Sequence, residues 1–271
     1  MLHKNSLCAI VLLIAVCVVS SCRKKDKDKP DTDVQAADDN ALMEGTSADL
    51  TSISEFAIAG VNSFRTSDAM NIMAPCGTVT RDTLVPSDPD TIVIDFGPTN
   101  CLCQDNRNRR GKLQIVHQGH YFLAGSFRTI TFDNYHVNDR KIEGTHTVTA
   151  NGNSSGNYTW TINAQGMKVT RPDGNYITWD SQRTRTMISG ANTPFIGADD
   201  IYEITGSGSG VNINGIPFTA IITEALRKAV NCNWIEKGKI TISPQGFADR
   251  LLDYGTSGCD NIATVTIGSY T

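Results

Sequence analysis

From Cys76 onward the chain is a succession of short stretches in which large apolar residues alternate with polar ones, separated by turn-forming dipeptides. In residues 158–162, Tyr158, Trp160 and Ile162 alternate with Thr159 and Thr161, which puts the large side chains on one face of a strand. The same period of two recurs in 112–116, 128–132, 146–150, 176–179, 183–188, 202–205, 218–222, 239–243 and 264–267. Asn151-Gly152, Asp173-Gly174 and Asn214-Gly215 are dipeptides that suit two-residue hairpin turns. Many short strands joined by hairpin signals imply an all-β domain built as an antiparallel meander, either a curved open sheet or a sandwich.

Helical spacing is confined to two places. Leu50, Ile53, Phe56 and Ala57 recur at helical intervals within residues 46–59, with Thr46 and Asp49 placed as a capping box. Residues 223–230 read as a second short helix covering an edge or end of the sheet. One or two short covering helices are therefore expected.

The N-terminus carries an address. His3 and Lys4 form a basic start, and the apolar run from residue 7 to 19 has the length of a signal core, too short to span a bilayer as a helix. It ends in Val19-Ser20-Ser21-Cys22, which resembles the bacterial lipobox. That resemblance implies cleavage before Cys22 and acylation, palmitate included, of its thiol and new N-terminus, and several acyl chains hold a protein on a membrane far more firmly than one. Arg23, Lys24 and Lys25 open a polar stretch that reads as a tether. The expected organisation is a signal peptide over 1–21, a tether over 22–45 and a β-rich domain with an N-terminal helix over 46–271. Loss of the signal removes Lys4 and takes the formal charge from -4 to -5, an acidic balance that argues against nucleic acid as a partner.

Of eight cysteines, Cys8 and Cys17 leave with the signal and Cys22 is taken by lipid, so Cys76, Cys101, Cys103, Cys232 and Cys259 remain. Export places them in an oxidising compartment. Opposed residues in a hairpin have numbers of constant sum, so pairing Cys76 with Cys101 centres a turn between Asp88 and Pro89. Pairing Cys232 with Cys259 centres one between Gln245 and Gly246. Both centres fall in turn-like sequence, which favours these two bridges and leaves Cys103 free, with Cys76–Cys103 as the exchange. Each bridge is worth roughly 3 kcal/mol on the chain-entropy model.

No metal or cofactor site is indicated. His117 and His120 point to opposite faces of a strand, and the single residue between Cys101 and Cys103 does not suit zinc. The segment from Asp105 to Gly111 has the outline of a calcium loop, but Arg107 and Arg109 stand where oxygen ligands are needed, so it reads as a solvated loop. Gly206-Ser207-Gly208-Ser209-Gly210 leads into a strand rather than a helix and reads as a flexible hairpin connection. No Gly-x-Ser-x-Gly or His-Glu-x-x-His signature occurs. Trp160, Trp179, Trp234 and the tyrosines are expected in the core. Facing outward together, they would instead form a platform for sugars or a protein partner.

Ile94-Asp95-Phe96-Gly97, Asn100-Cys101-Leu102-Cys103, Arg109-Arg110-Gly111-Lys112, Phe132-Asp133-Asn134-Tyr135 and the segment from Asp253 to Ala263 resemble a group of Bacteroidota envelope lipoproteins with no assigned activity. The resemblance implies a lipid-anchored place in the cell envelope, at the outer membrane, with the membrane as partner through the N-terminal lipid. Asp82-Thr83-Leu84 and Asp90-Thr91-Ile92 look like the O-glycosylation acceptor of that phylum, at Thr83 and Thr91. The expected role is a non-enzymatic binding or structural component, partnered by a glycan or an envelope protein. The alternatives are a glycan hydrolase with paired carboxylates, or a carrier that shelters an acyl chain in an apolar cleft.

Overall fold

The computed structural model describes residues 31–62, 75–82, 89–154, 156–193, 197–256 and 258–268. One helix, α1 (Gln35–Asn62), precedes thirteen strands. These are β1 (Thr78–Arg81), β2 (Asp90–Asp95), β3 (Cys101–Leu102), β4 (Asn108–Gln118), β5 (Phe127–Val137), β6 (Arg140–Ser154), β7 (Asn157–Thr170), β8 (Tyr176–Ser189), β9 (Ile201–Val211), β10 (Pro217–Ala229), β11 (Lys237–Pro244), β12 (Arg250–Asp253) and β13 (Thr264–Ile267). They form one antiparallel sheet in the order β1-β2-β4-β5-β6-β7-β8-β9-β10-β11-β12-β13, with β3 paired to β4 beside that path. The chain is thus a meander, as its alternation implies.

Inward-facing residues from β2 to β12, among them Ile94, Ile115, Ile130, Trp179, Phe218, Ile242 and Leu252, share one buried cluster with Met43, Leu50, Ile53 and Ala57 of α1. A single sheet can touch one helix with so many successive strands only by curving around it. The 28-residue helix, about 42 Å long, occupies the concave face. Asp33 opens it, its carboxylate accepting from the Gln35 amide at 2.8 Å.

Several local expectations are corrected. The helix starts at Gln35, inside the stretch read as a tether, and Ala36, Ala37, Asp39, Asn40 and Met43 are buried. Thr46 therefore lies mid-helix, where its hydroxyl donates to the Leu42 carbonyl at 2.8 Å rather than capping. Residues 223–230 belong to β10, not to a second helix. Register shifts between Ile222 and Arg227 break the alternation, so buried Leu226 and Ala229 fall three apart and imitate helical spacing. The two stretches 176–179 and 183–188 are one continuous strand, β8.

Asn151-Gly152 is a bulge within β6, with Gly152 at φ +82°, not a turn. Asp173-Gly174 and Asn214-Gly215 do lie in hairpin connections. The glycine-serine run is not a flexible connection but the interior of β9. A Cβ at Gly210 would lie 2.2 Å from the Thr178 carbonyl oxygen and 3.0 Å from the Phe218 ring, so glycine is what lets this strand pack closely.

Both bridges form as expected, Cys76 to Cys101 and Cys232 to Cys259, each with Cα atoms 5.6 Å apart. Neither bridge follows from the strict hairpin register that predicts it, the second missing by one residue and the first by more. Lys239 opposes Asp253, one residue from the position the Cys232–Cys259 sum requires. Thr78 opposes Asp95, whereas a hairpin centred by Cys76 and Cys101 would oppose it with Thr99. Cys101 lies beyond that hairpin, in β3.

Candidate functional site

The concave face is lined with arginines, and the helix supplies most of their carboxylates. Along β8 the inward positions are Ile177, Trp179, Ser181, Arg183, Arg185 and Met187, so the period of two that buries Trp179 also buries two guanidinium groups. Arg183 donates to Glu44, and Arg185 donates to Glu55. From β5, Arg128 reaches Ser54 at 2.9 Å and Glu55 at 2.7 Å. From β4, Arg109 reaches Asp49 at 2.8 Å, Asp105 at 2.7 Å and the Tyr135 hydroxyl at 3.2 Å. Arg171 holds Asp39 at 2.9 Å, and Arg250 holds Asp31 at 2.8 Å. The solvated loop expected at 105–111 is corrected accordingly, since Arg109 is fully buried.

These contacts set the electrostatics. Burial alone would raise the Glu55 carboxyl, but Arg185 and Arg128 overcome it and hold the group below the usual carboxylate range. The neighbouring Tyr121 hydroxyl, which donates to Glu55 at 2.8 Å, is pushed up to about 12 by burial and by the Glu55 charge. Burial, then Arg128, lowers His146 to about 3, and its ring contacts Ser47 Oγ at 3.0 Å. Burial, then Arg185, lowers Lys228 to about 8, and its amine donates to the Ala229 and Cys232 carbonyls. Buried Cys103 has its thiol raised by desolvation, which disfavours the reactive thiolate. The interior carboxylates Asp39, Glu44, Asp49 and Glu55 are each fixed on a guanidinium, an arrangement that locks helix position rather than exchanging protons. Among the described residues, no group of three or more His, Cys, Asp or Glu side chains converges to hold a metal.

The sheet does not cover α1 evenly. Asp38 and Gly45 are the exposed residues in the part of the helix whose burial is described, 35–58. Gly45 opens onto a cleft of about 260 Å³ that runs between the β5–β6 hairpin and the loop after β10. Its apolar walls are Leu42 and Leu50 of α1 with Val137, Ile142 and Val169 of the sheet, and Trp234 stands at its rim, 45 % exposed. A Cβ built on Gly45 meets nothing within 4 Å. Glycine in a helix interior costs about 1 kcal/mol relative to alanine, so this position keeps space open at the expense of helix stability.

Arg140 also lines the cleft. It shares the inward face of β6 with buried Ile142 and His146, yet its guanidinium makes no hydrogen bond or ion pair among the described residues. The other charges here neutralise one another, because Asp49 and Asp105 are matched by Arg107 and Arg109. Among the described residues the cleft therefore carries one uncompensated positive charge. The loop bearing Trp234 is fastened by the Cys232–Cys259 bridge, and the Trp234 amide donates to Cys232 Sγ at 3.4 Å.

Of the residues singled out from sequence, Cys22 and Thr83 lie outside the described residues. Thr91 is half-buried in β2 opposite Val116. His117 turns inward while His120 lies exposed in the bend after β4, so the two diverge as expected. Trp160, Trp179, Tyr135 and Tyr202 are core residues at 1 % exposure or less, so they form no outward platform. Gly45, Arg140 and Trp234 were not predicted as a site. The legible trace of the wider arrangement was Arg183-Thr184-Arg185, whose arginines fall on the core side of a strand, together with a carboxylate every few residues along the helix. Compared with protein families, with curated proteins and with solved structures, the chain finds no match.

Proposed function

We propose that this chain is a lipid-anchored, non-enzymatic binding component of the cell envelope, with the cleft beside Gly45 as its ligand site. Gly45 carries the reading: a helix that is enclosed almost everywhere keeps a glycine where a pocket meets it, and no described residue fills the space. The lipobox at Cys22 supports the envelope address, and O-glycosylation at Thr83 or Thr91 belongs to the same reading. The hydrolase alternative is less favoured because the interior carboxylates are already bound to arginines.

The full chain tests both parts. Metabolic labelling with an alkyne fatty acid marks the protein, and Cys22→Ala abolishes the label and frees it from membranes. Persistent label in that variant overturns the anchor. For binding, envelope extract is presented to the wild type and to Gly45→Leu, and bound molecules are read by native mass spectrometry. A ligand lost only in Gly45→Leu supports the cleft. Turnover of a glycan, or a ligand retained equally by both, overturns the reading.

A further inference from the structure

We infer that the cleft takes a single-tailed amphiphile carrying one carboxylate, with its tail against α1 and its head on Arg140. The inference rests on the cleft being the ligand site and adds the chemistry of what enters. Size comes first: about 260 Å³ is room enough for an alkyl chain. The walls favour a tail. Leu42, Leu50, Val137, Ile142 and Val169 form a hydrocarbon stripe beside the polar lining of Thr46, Asp49, Arg107, Tyr135 and Asn138, and an alkyl chain matches that stripe.

Charge decides the head group. Arg107 is engaged by Asp49 at 2.5 Å, and Arg109 by Asp49 and Asp105, which leaves Arg140 as the cleft guanidinium with no ion-pair partner among the described residues. A planar guanidinium matches a carboxylate in bidentate fashion. Arg140 stands just after the β5–β6 turn, at the end of the cleft wall that continues inward to Ile142, so a head group there leaves its tail directed along Gly45. Trp234, at the rim, would cover the tail from the solvent side.

Octanoate, 1-octanol and glucuronate titrated into the full-length protein test this, with binding read by calorimetry and by tryptophan fluorescence. Octanoate is expected to bind, and Arg140→Gln to weaken it about tenfold or more while changing 1-octanol less than twofold. Gly45→Leu should abolish both without loss of helicity, since leucine is the better helix former and meets open space. Equal octanoate affinity in wild type and Arg140→Gln overturns the head-group assignment, and glucuronate binding as tightly as octanoate overturns the tail. Octanoate bound as well by Gly45→Leu removes the cleft itself as the site. If octanoate fails to bind while another ligand from envelope extract is lost in Gly45→Leu, the amphiphile falls and the cleft stands.

Discussion

His146 shows how a single residue in this interior becomes a stability switch. It is fully buried, held at about 3 by desolvation and Arg128, and is neutral in the folded protein at any ordinary pH. The unfolded chain takes up a proton at this residue below about pH 6.5, so the unfolded state binds more protons and stability falls with pH between about 6.5 and 3. Roughly 2–3 kcal/mol should be lost between pH 7 and pH 4.5 from this group alone. Urea titrations at the two pH values should show that loss in the wild type, and His146→Gln should remove most of it. Apolar residues on the core face were legible from their alternation. His146, Arg183 and Arg185 sit on the same period, but a charged or polar residue in a strand reads as solvent-facing until its partner is known. Those partners, Ser47, Glu44 and Glu55, lie 99 to 139 residues away.

For the helix the same difficulty becomes one of boundaries. The residues from Asp38 to Glu44 look like a solvated tether because a low-dielectric interior seldom accepts so many polar groups, and here it accepts them only because arginines wait on the sheet. Breaking one such pair is expensive. Glu44→Gln should destabilise the protein by about 3–5 kcal/mol, because Arg183 is left buried and uncompensated. Replacing both, as Glu44→Leu with Arg183→Met, should restore much of that loss in a denaturant double-mutant cycle. If the double variant is no more stable than Glu44→Gln, the two groups are not acting as a pair. Strands with strict alternation were legible. The bulged end of β10 was not, because a register shift changes which residues face inward without changing the composition.

At the scale of the molecule, meander topology follows from the turn chemistry, whereas the curvature around α1 rests on contacts the sequence does not display. The Cys232–Cys259 bridge closes a separation of 27 residues, and Cys259→Ser should cost roughly 3 kcal/mol in chain entropy while loosening the loop that carries Trp234. Thermal melts should show the first effect, and acrylamide quenching of Trp234 the second. The position of α1 at the start of the chain has a temporal consequence. Every strand pair in the main path joins near neighbours, so the sheet can zip up as it is delivered, segment after segment. The helix, delivered before any of them, finds its last guanidinium partner only at Arg185, 130 residues after Glu55. Until β8 is made Glu44 has only water for a partner, and such acidic groups keep the waiting segment soluble until the trough is built to receive it.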